Sequence, residues 1–183
     1  MPLAVARRSV LVVIDVQPAF LAPFSDADEI VKRTEFLIRQ ATLLGVPIVA
    51  TEQYPSRMGG THERLLPWLR DATAPIVPKM VFSAHEGVDA LDTGERDQFV
   101  LCGIETHICV NQTAHRLLER GHTVILAGDA VSSRQPLLHA LGMERLRHAG
   151  VAVAPSEAIA YEWMESAEHP QFREALKLVK EYA

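Results

Sequence analysis

The sequence has few cysteines, no run of basic residues and no long apolar segment. Only two of its 183 residues are cysteine, too few for a small secreted disulfide scaffold, so a reducing cytoplasm is the expected compartment. The formal net charge is -5 and Lys and Arg form no run, which disfavours a nucleic-acid or anionic-membrane partner. No apolar run approaches the ~20 residues needed to span a bilayer.

The amino-terminal apolar stretch lacks the features of a secretion signal. No small-residue cleavage site follows it, and it runs directly into Asp15, so we interpret it as a first β-strand. The turn after it has no glycine-rich phosphate loop, and Gln17 stands where a dehalogenase-like phosphatase would need a second aspartate. Both absences disfavour a nucleotide-binding or regulatory domain, which is kept as an alternative class.

The sequence does have a regular alternation of short apolar runs and helix-like segments. Six continuous runs, typical of parallel strands buried on both faces, span 9–16, 46–52, 75–80, 98–104, 122–130 and 151–157. The helix candidates span 26–44, 61–70, 84–92, 107–120, 136–149, 156–165 and 170–181, and Pro67 is expected to shorten the second. This pattern predicts a single domain over 1–183, a doubly wound three-layer α/β sandwich with six parallel strands in the order 3-2-1-4-5-6.

That strand order places a ligand site beyond the carboxyl ends of the first and fourth strands. The first strand ends at Asp15, whose carboxylate is costly to bury without a partner, so it is either a turn cap or a catalytic acid. The third strand ends at Lys79 among apolar neighbours. Lys79 is either a surface residue or the counter-charge of Asp15.

The fourth strand runs into the segment LCGIETHICV, residues 101–110, which contains both cysteines. They could form a disulfide, contribute to a metal site, or be one core thiol and one reactive thiol. The strand pattern favours the last, because Cys102 lies inside the apolar run. Thr106 is expected to cap a helix that begins at His107. Cys109 would then lie in the first turn, where free N–H groups and the helix dipole lower a thiol pKa.

Asp15, Lys79 and Cys109 together suit nucleophilic catalysis. Asp15 would accept the thiol proton and pass it to a leaving group, while Lys79 would hold the carboxylate and favour the thiolate. Backbone N–H groups near Glu105 and Cys109 would bind the oxyanion of a tetrahedral intermediate. The alternative for Cys109 is a second buried core cysteine.

Over residues 8–165 the sequence resembles the isochorismatase-like cysteine hydrolases, a superfamily that includes nicotinamidases and N-carbamoylsarcosine amidohydrolases. VIDVQPAF, PKMVFSA and GIETHICVNQTA resemble its acid, lysine and Gly-x-x-Thr-x-x-Cys-Val motifs. TEQYP, LLERG and DAVSSR most resemble the isochorismatase domain-containing branch. The resemblance implies a small-molecule substrate and a homo-oligomer, from dimer to octamer.

The resemblance also assigns roles to individual residues. It implies a catalytic triad of Asp15, Lys79 and Cys109. It implies a cis peptide bond between Ile104 and Glu105, which would direct a backbone N–H toward the oxyanion.

Two features distinguish the sequence from particular branches of that superfamily. Nicotinamidases carry an Asp-x-His metal pair after the second strand, whereas residues 51–54 contain no histidine, so neither a metal nor another cofactor is expected. Enzymes that cleave the isochorismate vinyl ether can dispense with the cysteine, so Cys109 favours acyl transfer. The expected function is hydrolysis of a small amide, carbamoyl or ester-like substrate through an acyl-enzyme on Cys109. A vinyl ether hydrolase and a non-enzymatic oligomer are the alternatives.

Several further side chains could contact a substrate or support the site. The main candidates lie after strand ends or at the predicted helix start: Phe20, Tyr54, Thr106 and His107. Met58 and Trp68 could also wall an apolar pocket. The eight histidines show no close metal-ligand spacing. Asp129 and Arg134 are expected to pair after the fifth strand.

Overall fold

A computed structural model describes residues 2–183, and its central feature is one six-stranded sheet. The strands are all parallel and take the order β3-β2-β1-β4-β5-β6, which confirms the predicted topology. They are β1 (Ser9–Ile14), β2 (Ile48–Gln53), β3 (Ile76–Lys79), β4 (Gln98–Ile104), β5 (Thr123–Ser132) and β6 (Ala152–Ala154). The order reverses between β1 and β4, so a crevice opens beyond their carboxyl ends.

Helices cover both faces of the sheet. They are α1 (Pro18–Leu21), α2 (Ala27–Leu43), α3 (Pro55–Met58), α4 (Leu66–Asp71), α5 (His85–Asp89), α6 (Asn111–Glu119), α7 (Pro136–His148), α8 (Ser156–Met164) and α9 (Phe172–Tyr182), with a short 3-10 helix at Ala6–Arg8 and a π-helical turn at Thr106–Val110. Helices α2, α4, α8 and α9 contribute to the core on one face, and α5, α6 and α7 to the core on the other. Within residues 2–183, none of the helices combines the length and apolarity that crossing a bilayer requires.

The central strands are buried on both sides, as their uninterrupted apolar runs predict. Every residue of β1 and of β4 is buried. Two hydrophobic clusters, one on each face, divide the side chains of these strands between them by alternation. Packing on both faces therefore fixes the positions of the residues that follow β1 and β4 at the carboxyl end of the sheet.

Two helix predictions need correction, and two short helices are additional to those predicted. The second helix begins at Leu66, not at residue 61, because Pro67 is tolerated only in a first helical turn. The helix predicted from His107 begins one residue earlier, with the π-helical turn that leads into α6. The short helices α1 and α3 were not predicted, although each begins with a proline at its first position, a common helix start.

Candidate active site

The carboxyl ends of β1 and β3 bring Asp15 and Lys79 together in the interior. Lys79 Nζ lies 2.7 Å from Asp15 Oδ2, with 0% and 1% of the two side chains exposed. Asp15 has a φ of 52°, a left-handed conformation in which the chain turns sharply at the end of the strand. Thr51 donates a hydrogen bond of 2.8 Å to Asp15 Oδ1. The carboxylate is therefore fixed by an ion pair on one oxygen and a hydrogen bond on the other.

The Lys79 ammonium is also held by neutral oxygens. It donates to Gln53 Oε1 at 2.6 Å, to the Phe82 carbonyl at 2.9 Å and to the Val81 carbonyl at 3.3 Å. Its contact with Asp15 Oδ2 is an ion pair, and within residues 2–183 no well-directed hydrogen bond reaches that oxygen. Burying an ion pair carries a desolvation cost that these additional contacts offset in part.

Cys109 lies on the π-helical turn Thr106–Val110 and is 7% exposed. The pKa of its thiol is raised from 9.0 to about 12, mainly because burial disfavours the thiolate. The Asp15 carboxylate also raises this pKa, whereas the Lys79 ammonium lowers it. The expectation of a lowered thiol pKa is therefore wrong for the resting site. The raised pKa keeps the Cys109 thiol protonated at neutral pH, and the Asp15 carboxylate lines the same cavity.

Gly103 lets β4 pass very close to β1 just before this turn. Its φ is 110°, and a Cβ added to it would lie 2.1 Å from the carbonyl oxygen of Ile14. No other residue fits that position without moving one of the two strands. The peptide bond between Ile104 and Glu105, which follows, is cis. Gly103 thus sets the spacing between the strand that ends at Asp15 and the segment that carries Cys109.

A cavity of about 310 Å³ opens onto Asp15 and Cys109. Most of its walls are apolar, and the residues that line it are Asp15, Phe20, Gln53, Tyr54, Met58, Phe82, Ile104, Glu105, Ile108, Cys109 and Arg134. The cavity matches a common form of small-molecule site, with apolar walls and a few convergent polar groups.

An ion pair between Glu105 and Arg134 forms part of the polar lining of the cavity. Arg134 Nη1 lies 2.5 Å from Glu105 Oε1, and the backbone N–H of Arg134 donates to Glu105 Oε2 at 3.0 Å. The predicted pair of Asp129 and Arg134 is wrong. Asp129 instead accepts hydrogen bonds of 2.7 Å from the backbone N–H and the hydroxyl of Ser156, at the start of α8.

Comparison with known proteins identifies the family. Residues 9–158 match the family model described as the isochorismatase domain. The chain belongs to this family. It is 36% identical over 183 residues to the secreted isochorismatase effector Isc1 of Phytophthora sojae, covering 97% of this chain and 87% of that protein. It is 37% identical over 177 residues to isochorismatase domain-containing protein 2A of Mus musculus, covering 96% and 84%.

Solved structures agree with that assignment. The structure of the MAR1 ribonuclease from Caenorhabditis elegans superposes on the chain with a TM-score of 0.87 at 32% sequence identity, covering 98% of this chain and 93% of that one. The isochorismatase-like fold and membership of a hydrolase family follow from these matches.

Three residues expected at a pocket of this isochorismatase-family chain do not line the cavity. Thr106 is fully buried, with its hydroxyl 3.0 Å from His139 Nδ1. His107 Nδ1 lies 3.0 Å from the Ser133 hydroxyl, and burial lowers the pKa of His107. The Trp68 ring packs under the guanidinium of Arg39, 4.3 Å away. By contrast, the cavity lining includes Phe20, Tyr54 and Met58, as well as Ile104 and Glu105.

Sequence reasoning missed several cavity residues. Gln53 ends β2, and Phe82 follows the end of β3. Their positions at the carboxyl ends of strands therefore could have identified them as cavity residues. Glu52, the neighbour of Gln53, does not line the cavity. Its carboxylate accepts hydrogen bonds from the backbone N–H and the hydroxyl of Thr61 at 2.7 and 2.8 Å. Arg134 also follows a strand, β5, but nothing in the sequence indicates its partner Glu105, which lies 29 residues earlier.

Proposed function

We propose that this protein hydrolyses a small amide, carbamoyl or ester substrate through an acyl-enzyme on Cys109. The observation that carries the proposal is the buried Asp15–Lys79 ion pair beside a protonated thiol at an apolar cavity. These groups meet the requirements of nucleophilic catalysis, namely a nucleophile, a proton acceptor for it, and a cation that holds the acceptor.

In the first half-reaction, Asp15 Oδ2 accepts the thiol proton as Cys109 Sγ attacks the carbonyl carbon. The carbonyl π electrons move to oxygen, which gives a tetrahedral oxyanion. When the oxyanion collapses, the C–N or C–O bond breaks and the leaving group receives the proton from Asp15. A thioester on Cys109 remains, and the Lys79 ammonium stays paired with the regenerated carboxylate.

Backbone N–H groups of the π-helical turn are the donors for the oxyanion. Two of them are already used, because Ile108 and Val110 donate to the Glu105 carbonyl at 3.0 and 3.3 Å. We therefore assign the backbone N–H of Cys109, next to the reacting sulfur, as the principal donor.

In the second half-reaction, water attacks the thioester carbon. Asp15 accepts a proton from that water, and the second tetrahedral intermediate collapses with cleavage of the C–S bond. The thiolate leaving group takes the proton from Asp15, which restores the starting thiol and releases the carboxylic or carbamic acid. No further cofactor enters either step.

The cavity indicates a small, largely apolar acyl group. Its volume of about 310 Å³ and its aromatic walls, Phe20, Tyr54 and Phe82, suit a compact substrate. The name of the Caenorhabditis elegans protein raises RNA as another substrate. The net charge of -5 and the single arginine in the cavity lining disfavour a polyanion.

A vinyl ether hydrolase is the weaker alternative. That reaction needs an acid that protonates the substrate at the start, whereas Asp15 is the anionic partner of Lys79 in an ion pair of 2.7 Å. A vinyl ether would also leave Cys109 without a role.

We further propose a homo-oligomer. Met80, Val81 and Phe82 are 64%, 44% and 52% exposed and directly follow the catalytic Lys79, so an apolar strip lies at the rim of the site. Light scattering after gel filtration should give a mass above that of one chain, and Met80→Ser should shift it downward. A monomeric mass at micromolar concentration would contradict this proposal.

A cytoplasmic location is also proposed, because both cysteines are free thiols, as expected in a reducing compartment. Cell fractionation would test it, with recovery in the medium as the opposing result.

The test of the enzymatic proposal is a panel of small amides, N-carbamoyl compounds and esters, assayed with the wild-type protein, Cys109→Ala and Cys102→Ala. Cys102 is the matched control because it is the only other cysteine and is fully buried in β4. We expect Cys109→Ala to abolish turnover and Cys102→Ala to retain it. Equal activity in the two variants would exclude Cys109 as the nucleophile, and no turnover of any compound would favour a non-enzymatic role.

A further inference from the structure

Helix α7 is tied at three points to the turn that carries Cys109 and to the first residue of α6, which directly follows the turn. His139 Nδ1 lies 3.0 Å from the Thr106 hydroxyl. A Cβ on Gly142 would lie 3.0 Å from the backbone of His107, so the helix approaches the turn very closely there. Asn111 Nδ2 donates to the Gly142 carbonyl at 3.3 Å. The orientation of the turn therefore depends on its contact with α7.

Only one of these three contacts can change its protonation state. Thr106 is fully buried, and within residues 2–183 the one hydrogen-bond partner that the structure gives its hydroxyl is His139. A neutral His139 with its proton on Nε2 accepts the hydroxyl proton at Nδ1. A protonated His139 has donors at both nitrogens, so Nδ1–H then donates to Thr106 Oγ1 and the direction of the hydrogen bond reverses. The buried hydroxyl proton of Thr106 is left without its acceptor, which costs free energy.

The His139 ring can exchange protons with solvent. It is half-buried and borders a second cavity of about 540 Å³, which shares no lining residue with the cavity at Cys109. The charged groups that face it are Arg147 on α7, Asp129 on β5 and Asp26 before α2. Burial lowers the pKa of His139, Asp26 opposes that shift and Arg147 adds to it. The neutral form is thus the resting form at neutral pH.

We propose that His139 is a positioning residue that holds the Cys109 turn in its reactive orientation through Thr106, and that protonation of His139 loosens the turn. His139 contacts no residue of the catalytic set and lines no part of the catalytic cavity. Its effect on Cys109 passes through the backbone of Thr106–Val110. The inference extends the proposed function by adding a pH-dependent control to that same site.

The first test measures amide hydrogen exchange of residues 106–110 at pH 8 and pH 5.5, corrected for the intrinsic pH dependence. In the wild type, we expect protection to fall about three- to tenfold at the lower pH, the loss expected for one buried hydrogen bond. His139→Asn keeps an acceptor near the position of Nδ1 but cannot titrate, so protection should be high at both values. His139→Ala should be low at both. His148→Asn, an exposed histidine on the same helix, should behave as the wild type.

The second test measures the rate of acyl-enzyme formation from p-nitrophenyl acetate over the same pH range. The acidic loss of rate should be larger in the wild type and in His148→Asn than in His139→Asn. Equal protection of the turn in the wild type, His139→Asn and His139→Ala would overturn the inference, whatever the enzyme does. If the amide protection of residues 106–110 depends on pH but no acylation occurs, the result would support the inference and contradict the proposed function.

Discussion

Lys79 Nζ lies 2.7 Å from Asp15 Oδ2, and the two buried side chains come from strands that are separated by β2 in the sheet. Both partners of this pair affect the ionisation of the Cys109 thiol. Asp15 raises the pKa of the thiol, and Lys79 lowers it. Asp15 is thus close enough to affect the ionisation of the thiol, and the proposed mechanism makes it the proton acceptor. A substitution of Asp15 should therefore change the reactivity of the Cys109 thiol and the rate of hydrolysis in opposite directions.

Asp15→Asn should therefore increase alkylation of Cys109 while it decreases hydrolysis. Removal of the carboxylate lowers the Cys109 pKa, and the alkylation rate at fixed pH rises about tenfold for each unit of that fall. Hydrolysis should fall by about a hundredfold or more because the proton acceptor is lost. Iodoacetamide labelling followed by intact mass, together with turnover measurements, checks both changes. Circular dichroism controls for unfolding, since Lys79 is left buried without its counter-charge. A parallel loss of labelling and hydrolysis in a folded variant would refute the assigned role.

Gly103→Ala should destabilise the protein strongly. The added Cβ would lie 2.1 Å from the Ile14 carbonyl oxygen at a φ of 110°, so we expect a loss of about 3 kcal/mol or more in the free energy of unfolding. Gly45→Ala is the matched control, because Gly45 also has a positive φ, 68°, but nothing lies within 4 Å of its added Cβ. It should cost about 1–2 kcal/mol, from backbone conformation alone. Urea denaturation measures both, and equal losses would show that the close strand contact does not matter.

The stability of the protein should fall above about pH 9. Cys102 and Cys109 each have a thiol pKa raised from 9.0 to about 12, chiefly by burial. Between these values the folded state binds more protons than the unfolded state, so the free energy of unfolding decreases as pH rises. Each thiol contributes a slope of about 1.4 kcal/mol per pH unit. Denaturation between pH 8 and pH 11 should show Cys102→Ala with a shallower decline than the wild type. Identical slopes in the two proteins would contradict the assigned burial effect.

Arg134→Ala should reduce turnover more than stability. Arg134 is half-exposed and pairs with Glu105, which lies next to the Cys109 turn and lines the same cavity. The loss of such a partly exposed pair should cost at most about 1 kcal/mol of unfolding free energy. The control is Arg120→Ala, which removes an exposed pair with Asp89 away from the cavity. We expect similar stability losses in the two variants and a loss of kcat/KM only in Arg134→Ala. An equal kcat/KM in Arg134→Ala and Arg120→Ala would show that the ion pair of Arg134 with Glu105 has no part in the reaction.

Much of the site follows from the sequence because parallel strands end at one edge of a sheet. Asp15 and Lys79 each follow an apolar run, so the predicted strand order places both at the crevice without any knowledge of distances. The core role of Cys102, which is fully buried in β4, follows in the same way.

The remaining features depend on packing that the local sequence does not encode. The pairing of β4 with β5 shifts register between Leu101 and Gly103, where two positions on β4 oppose five on β5. Asp129 lies within this irregular part of β5 and bonds to Ser156, and Arg134 follows β5 and pairs with Glu105. The pKa of the Cys109 thiol also depends on this packing. A position at a helix start predicts an exposed thiol with a lowered pKa, whereas the fold buries Cys109 and raises its pKa.

The central claim is that Cys109 carries the acyl group and that Asp15 takes its proton. The most direct measurement is rapid-quench mass spectrometry during the first turnover of p-nitrophenyl acetate, with peptide mapping of the acetylated residue. The account predicts one acetyl group per active site on Cys109 in the wild type and in Cys102→Ala. With an amide substrate from the panel, whose amine leaving group needs the Asp15 proton, acylation of Cys109 should be much slower in Asp15→Asn than in the wild type. Acetylation mapped to any other residue, or acylation by the amide at an unchanged rate in Asp15→Asn, would contradict it.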